Sequence, residues 1–237
     1  MPFPTTRWSL LAHASLHGDS VQREALAEFY RRYRVPVVDF IQRRQGNRAQ
    51  AEDLAQEFFV HLMEDSTLGR ADRARGKFRS FLLGALLRFL ARDHRRKQTD
   101  KRGGGESPVS LDAAAGGEGE AEPAVPAEVA RAFDREWAQD LLVRAWAEVD
   151  AAWVARGAAT ELATLKSFLP GATETPTYEA AAARLGWTLA RLKTEIFRLR
   201  GQFRDHVRAE IALTVETPAE IEAELAHLHT VLANPDA

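Results

Sequence analysis

Cysteine is absent from the 237 residues. Its absence excludes disulfides, a thiolate nucleophile and cysteine-ligated zinc, and it fits a reducing, cytoplasmic compartment. Long apolar runs are missing too. The stretch Phe81 to Leu87 is among the longest, far short of the roughly 20 residues that a membrane span requires. No N-terminal segment joins a charged region to a long apolar one, so no secretory signal is expected. Strand-like alternation and internal repeats are also lacking, which leaves helices as the building element. The histidines, His13, His17, His61, His94, His206, His227 and His229, show no metal-ligand spacing, and residues two apart, such as the last pair, diverge on a helix. No glycine-rich phosphate loop follows a strand. Neither a metal, a cofactor nor catalysis is expected.

What is present is segregated charge. The net charge of -2 averages over two basic stretches and two acidic ones. Residues 88–102 hold Arg88, Arg92, Arg95, Arg96, Lys97, Lys101 and Arg102 against only Asp93 and Asp100. Residues 184–208 hold Arg184, Arg191, Lys193, Arg198, Arg200, Arg204 and Arg208 against Glu195 and Asp205. Residues 103–130 and 209–237 contain no lysine or arginine. Two cationic patches on an otherwise acidic chain suggest a polyanion gripped at two places. The plain alternative is a pair of solvated helix faces.

Helical periodicity divides the chain. From Asp19 or Ser20 as N-cap, Leu26, Phe29, Tyr30, Tyr33, Val37, Phe40 and Ile41 recur at helical spacing. Pro36 interrupts this pattern and predicts a kink or two abutting helices, and Gly46-Asn47 ends it. A second helix carries Leu54, Phe58 and Leu62 on one face. After a polar loop over 69–76, "KFRSFLLGALLRFLARDHRRK" (77–97) is a third helix, apolar in its first half and basic in its second. Glycine, proline and acidic residues over 98–135 read as a flexible linker. A coil of that length spans about 34 Å. Helical spacing resumes at Trp137, Leu141, Trp146, Val149 and Trp153, a stripe that reads as core, with Gly157 as a C-terminal cap. At the end, Thr217, Pro218 and Glu220 form a capping box before the stripe Ile221, Leu225, Leu228, Leu232.

One segment, "YEAAAARLGWTLARLKTEIFRLR" (178–200), carries the chemistry. In a helix-turn-helix the first helix presents small side chains where the second crosses it. Ala181, Ala182 and Ala183 supply that closeness, Gly186 the sharp turn and Thr188 the next N-cap. Leu189, Leu192, Ile196, Leu199 and Phe203 are expected to be buried. Arg191, Lys193, Thr194, Glu195 and Arg198 then face outward, where a major groove accepts such a helix.

With its extension to Arg204, this segment resembles the promoter-binding helix-turn-helix of extracytoplasmic-function (ECF) sigma factors, in the sigma-70 family of RNA polymerase subunits. Tyr178, Ala182, Leu185, Gly186, Lys193 and Arg198 match the pattern directly. "AEDLAQEFFVHL" (51–62) is similar to the family's helix that docks on the clamp coiled coil of the polymerase's largest subunit. The 77–97 segment is similar to the helix that reads and melts the promoter's downstream element.

The resemblance implies an all-α chain: a region 2-like helical domain over 1–97, the flexible linker over 98–135, a region 4-like helix-turn-helix domain over 136–215 and a short acidic C-terminal helix over 216–237. It implies polymerase binding through Asp53, Gln56 and Glu57. Downstream-element contacts would come from Phe78, Arg79, Phe81, Arg88, Arg92, Arg95 and Arg96, and upstream ones from Thr188, Arg191, Lys193, Thr194 and Arg198. The implied partners are core polymerase, through the clamp coiled coil and the flap of its second subunit, and promoter DNA as duplex and as melted non-template strand. An anti-sigma factor is a further partner of such proteins. Departures stand out as well: Phe81 occupies the family's tryptophan position, Arg88 a frequent asparagine, and Glu195 a usually basic or polar site. The C-terminal acidic helix has two readings: it packs on the preceding domain and competes with DNA for its basic face, or it is simply a stabilising extra helix.

Overall fold

A computed structural model describes residues 20–64, 78–101, 125–169, 172, 174–215 and 217–233. Among them the fold is all helical: α1 Ser20–Gln45, α2 Arg48–Glu64, α3 Phe78–Lys101, α4 Ala127–Ala155, α5 Ala159–Lys166, α6 Tyr178–Leu185, α7 Leu189–Ala212 and α8 Pro218–Ala233. The chain divides into two units between Glu136 and Trp137.

In the first unit α1 runs unbroken through Pro36, where two abutting helices were an alternative. Gly46 ends it at φ 76, its N–H donating to the Gln42 carbonyl at 2.7 Å. Asn47 then caps α2, its side-chain oxygen accepting from the Gln50 N–H at 3.2 Å. Val37, Val38 and Ile41 of α1, Leu54, Phe58, Phe59 and Leu62 of α2, and Leu82, Leu83 and Leu86 of α3 are all buried. Edge-on ring contacts join α1 to α2: Phe29 lies 5.6 Å and Tyr30 5.0 Å from Phe59 between ring centroids.

The 98–135 span is less of a linker than its composition implies. α3 continues to Lys101 and α4 begins at Ala127, so both ends of that span are helical. Residues 102–124 lie outside the described residues. The first turns of α4 are held by specific partners within the first unit. Phe133 is fully buried with its ring 5.5 Å from Phe40, and Asp134 and Glu136 pair with Arg79 and Arg43.

The second unit is built on Val149, Trp153, Leu162, Leu165, Phe168, Ala181, Ala182, Leu192, Ile196 and Leu199, which form one buried cluster. Gly157 and Gly186 end α4 and α6 at φ 74 and φ 64. Each closes the same paired hydrogen bonds: Gly157 N–H to Val154 O with Ala158 N–H to Trp153 O, and Gly186 N–H to Ala183 O with Trp187 N–H to Ala182 O. Thr177 caps α6 by accepting from Ala180 N–H at 3.1 Å, and Thr188 caps α7 by accepting from Arg191 N–H at 3.2 Å. Two details differ from the sequence pattern. Ala183 is exposed, so Ala181 and Ala182 alone make the close crossing, and Leu189 is 40 % exposed rather than buried. Both fall at the edge of the buried stripe, where one residue turns the side chain through about 100°.

At the C-terminus the capping box forms as its spacing predicts, with Thr217 N–H donating to Glu220 at 3.2 Å and Glu220 N–H to the Thr217 hydroxyl at 3.3 Å. α8 lies against α7. Ile221, Leu228 and Val231 are buried on it, and Val207 and Ile211 near the end of α7.

Candidate nucleic-acid interface

The three α2 residues singled out in the sequence share one exposed face. Asp53, Gln56 and Glu57 point to solvent because Leu54, Ala55, Phe58, Phe59 and Leu62 take the opposite side inward. Val60 and Met63 extend that face, 42 % and 43 % exposed. Sequence reasoning passed over them, although they continue the three-and-four spacing from Asp53 and Glu57.

On α3 the predicted residues separate. Phe78 has its side chain outside the described residues, and Phe81 is half-buried. Arg79 does not belong to an exposed DNA surface: it is 4 % exposed, and its Nε donates to Asp134 Oδ1 at 3.0 Å. A guanidinium withdrawn from water needs a fixed carboxylate, and Asp134 from α4 supplies it. Arg88 is half-buried, whereas Arg92, Arg95 and Arg96 are exposed. Arg95, Arg96 and Lys97 are braced rather than loose. Asp93 is buried, and its two oxygens meet Arg96 at 3.2 Å and Lys97 at 2.7 Å. Arg95 donates back to the Ala91 carbonyl at 3.2 Å, and Arg96 also lies 3.9 Å from Glu57 on α2. Phe89 fixes the helix below them, its ring 5.6 Å from Phe58 and 5.9 Å from His61.

α7 brings Thr188, Arg191, Lys193, Thr194 and Arg198 to one exposed surface. Here rings do much of the positioning. The Arg191 guanidinium sits 4.3 Å over Trp187, and Lys193 Nζ is 5.7 Å from the Tyr178 ring centroid. Thr194 spends its hydroxyl on the Ala190 carbonyl at 2.9 Å. Arg198 pairs with Glu195 at 2.7 Å, so the acidic departure at 195 is neutralised by its own neighbour. Other cations of this stretch serve the scaffold: Arg184 donates to the Thr164 hydroxyl at 2.7 Å and Arg200 to the Phe168 carbonyl at 2.9 Å.

The C-terminal helix reaches only the far end of this surface. Glu222 pairs with Arg208 at 2.5 Å, while Arg191, Lys193 and Arg198 stay exposed, so α8 does not cover the basic face. Phe197 was also missed as a surface residue. It is 72 % exposed, between Ile196 and Arg198.

Among the described residues no cluster of histidine and carboxylate could hold a metal, and no helix is long and apolar enough to cross a membrane. The titration of one carboxyl is clearly displaced: burial pushes the Glu136 carboxyl above its ordinary range, against the pull of Arg43 at 2.6 Å.

No curated protein and no solved structure matches the chain. Residues 29–100, from Phe29 in α1 to the last turn of α3, match the family model for Sigma-70 region 2, which supports a member of the sigma-70 family.

Proposed function

We propose that the protein is a sigma factor of the extracytoplasmic-function type. It binds core RNA polymerase in the cytoplasm and directs promoter-specific initiation. The observation that carries this reading is the Sigma-70 region 2 match over 29–100, within which Asp53, Gln56 and Glu57 share one exposed face. A carboxylate-rich helix face suits the basic clamp coiled coil of the largest subunit, and Val60 and Met63 add apolar area beside it. The exposed Arg92, Arg95 and Arg96 end of α3 takes downstream promoter phosphates, and Phe81 helps to receive a base as the strands part. The α6–α7 pair enters the major groove of the upstream element with Arg191, Lys193 and Arg198. The second unit meets the flap of the second subunit, and an anti-sigma factor would regulate the protein by covering these same surfaces.

The experiment is retention on purified core polymerase. Wild type should be retained and the double variant Asp53→Arg/Glu57→Arg lost. Equal failure of both would reduce the protein to a helix-turn-helix regulator that does not engage polymerase, a reading that leaves the α2 face without a purpose. Run-off transcription from genomic DNA then names the promoters.

A further inference from the structure

Phe197 is the most exposed of the large apolar side chains among the described residues, at 72 %. Its position explains why this is unusual. Leu192, Ile196 and Leu199 turn inward, so Ala190, Thr194, Phe197 and Gly201, spaced four, three and four apart, run along the opposite side of α7. That outward seam is uncharged. Arg191 and Arg198 border it on one edge, Lys193 and Arg204 on the other, and all four are exposed.

The seam is also thin. Apart from Phe197 it carries two small side chains and a glycine. Nothing in the fold requires that glycine: a methyl added at Gly201 would meet only Arg204 Nη2, at 4.0 Å. A helix interior that accepts glycine without crowding gains nothing in stability from it. What it gains is an outer surface that another molecule can approach closely.

An apolar centre between two cationic edges matches one ligand well. The major groove has phosphates along both walls and base edges on its floor, where the single apolar group is the C5-methyl of thymine. A protein partner with an acidic rim would meet the cations from outside, but it gives no reason for the seam to be narrow. We propose that Phe197 is a specificity residue that reads a thymine methyl in the upstream promoter element. The inference rests on the helix-turn-helix reading of α6 and α7.

The test uses the full chain, alone and with core polymerase, to select duplexes from a random-sequence pool. Wild type should enrich a site with thymine at one or two positions. Phe197→Ala should lose those positions and keep the ones read by Arg191 and Arg198. Replacing the enriched thymines by deoxyuridine removes only the methyl. It should weaken wild type about fourfold per methyl, the burial of one such group, and leave Phe197→Ala unchanged. Because the ring is exposed, the variant should keep its helicity and melting temperature. If Phe197→Ala selects the same thymines and shows the same uracil penalty, the inference is overturned while the helix-turn-helix reading stands. If wild type enriches no sequence, that reading falls and the inference with it.

Discussion

The two units keep their cations in place by different physics. The first buries charge: Arg32, Arg79, Asp93 and Glu136 are all under a tenth exposed, and each is tied to an opposite charge. The second has an apolar core, with Thr164 and Glu224 the buried polar residues among those described. Two of its outward cations, Arg191 and Lys193, lie over Trp187 and Tyr178, while Arg198 pairs with Glu195. Carboxylate braces fix a cation's position but subtract from its field. A ring fixes it and leaves the full positive charge to the ligand. On the proposed reading, the first arrangement suits a surface that must hold shape while DNA strands separate. The second suits a helix that delivers charge into a groove.

The largest effect should come from breaking a brace. Arg79→Ala leaves Asp134 without its guanidinium in a partly buried site, which costs about 3 kcal/mol. Hydrogen exchange in α1 and α3 should quicken while α6 and α7 keep their protection. DNA binding measured against salt should keep its slope, because Arg79 touches no phosphate. Arg92→Ala should do the reverse, sparing stability and lowering the log–log salt slope by about 0.9. A slope that falls with Arg79→Ala would return that residue to the DNA surface.

Glu136 offers a second way to separate the units. Its carboxyl titrates above the ordinary range because burial penalises the carboxylate more than Arg43 rewards it. The folded state therefore favours the protonated form. That contribution is complete below the unfolded carboxyl's range and is lost as pH rises through the raised folded value. Glu136→Gln removes the ionisation, and Arg43 is exposed enough to remain hydrated. Melting temperatures of the two proteins should converge at low pH, with the variant higher near neutrality. The opposite order at neutral pH would mean that the Arg43 pair outweighs its burial.

Much of this was legible in the sequence because the signals were local. Gly46, Gly157 and Gly186 mark three turns, Thr188 and Thr217 two caps, and Leu54, Phe58 and Leu62 one buried face. Arg79 was not legible, since the carboxylate that withdraws it lies 55 residues away in a stretch that reads as linker. Residues 127–135 read as the end of the linker, yet Phe133 and Asp134, with Glu136 just beyond, are packed and paired within the first unit. Phe197 was missed for a different reason. It belongs neither to the apolar stripe of Leu192, Ile196 and Leu199 nor to the charged set beside it, and it stands one residue outside that stripe.

Trp187→Leu tests the ring brace directly. Leucine keeps apolar bulk against the cluster that Trp187 partly packs on and removes the ring face beneath Arg191. DNA affinity should fall by about 0.5–1 kcal/mol, roughly two- to fivefold. Unfolding should change little, whereas the brace variants of the first unit act mainly on stability. A variant that melts earlier but binds as before would show that Trp187 only packs.

Gly201→Ala carries the smallest change and the sharpest contrast of sign. Alanine restricts the unfolded chain and suits a helix interior, and the space at Gly201 admits its methyl, so the second unit should gain about 0.5–1 kcal/mol. A surface held only for folding would have no reason to forgo that gain. If α7 lies in a groove with its Ala190–Gly201 seam toward the DNA, the same methyl stands between backbone and ligand, and affinity should drop as stability rises. Opposed shifts in melting temperature and duplex binding would place the seam against DNA. A stabilised variant with unaltered binding would confine the contact to the earlier turns of α7, where Arg191, Lys193 and Arg198 already stand clear of the fold.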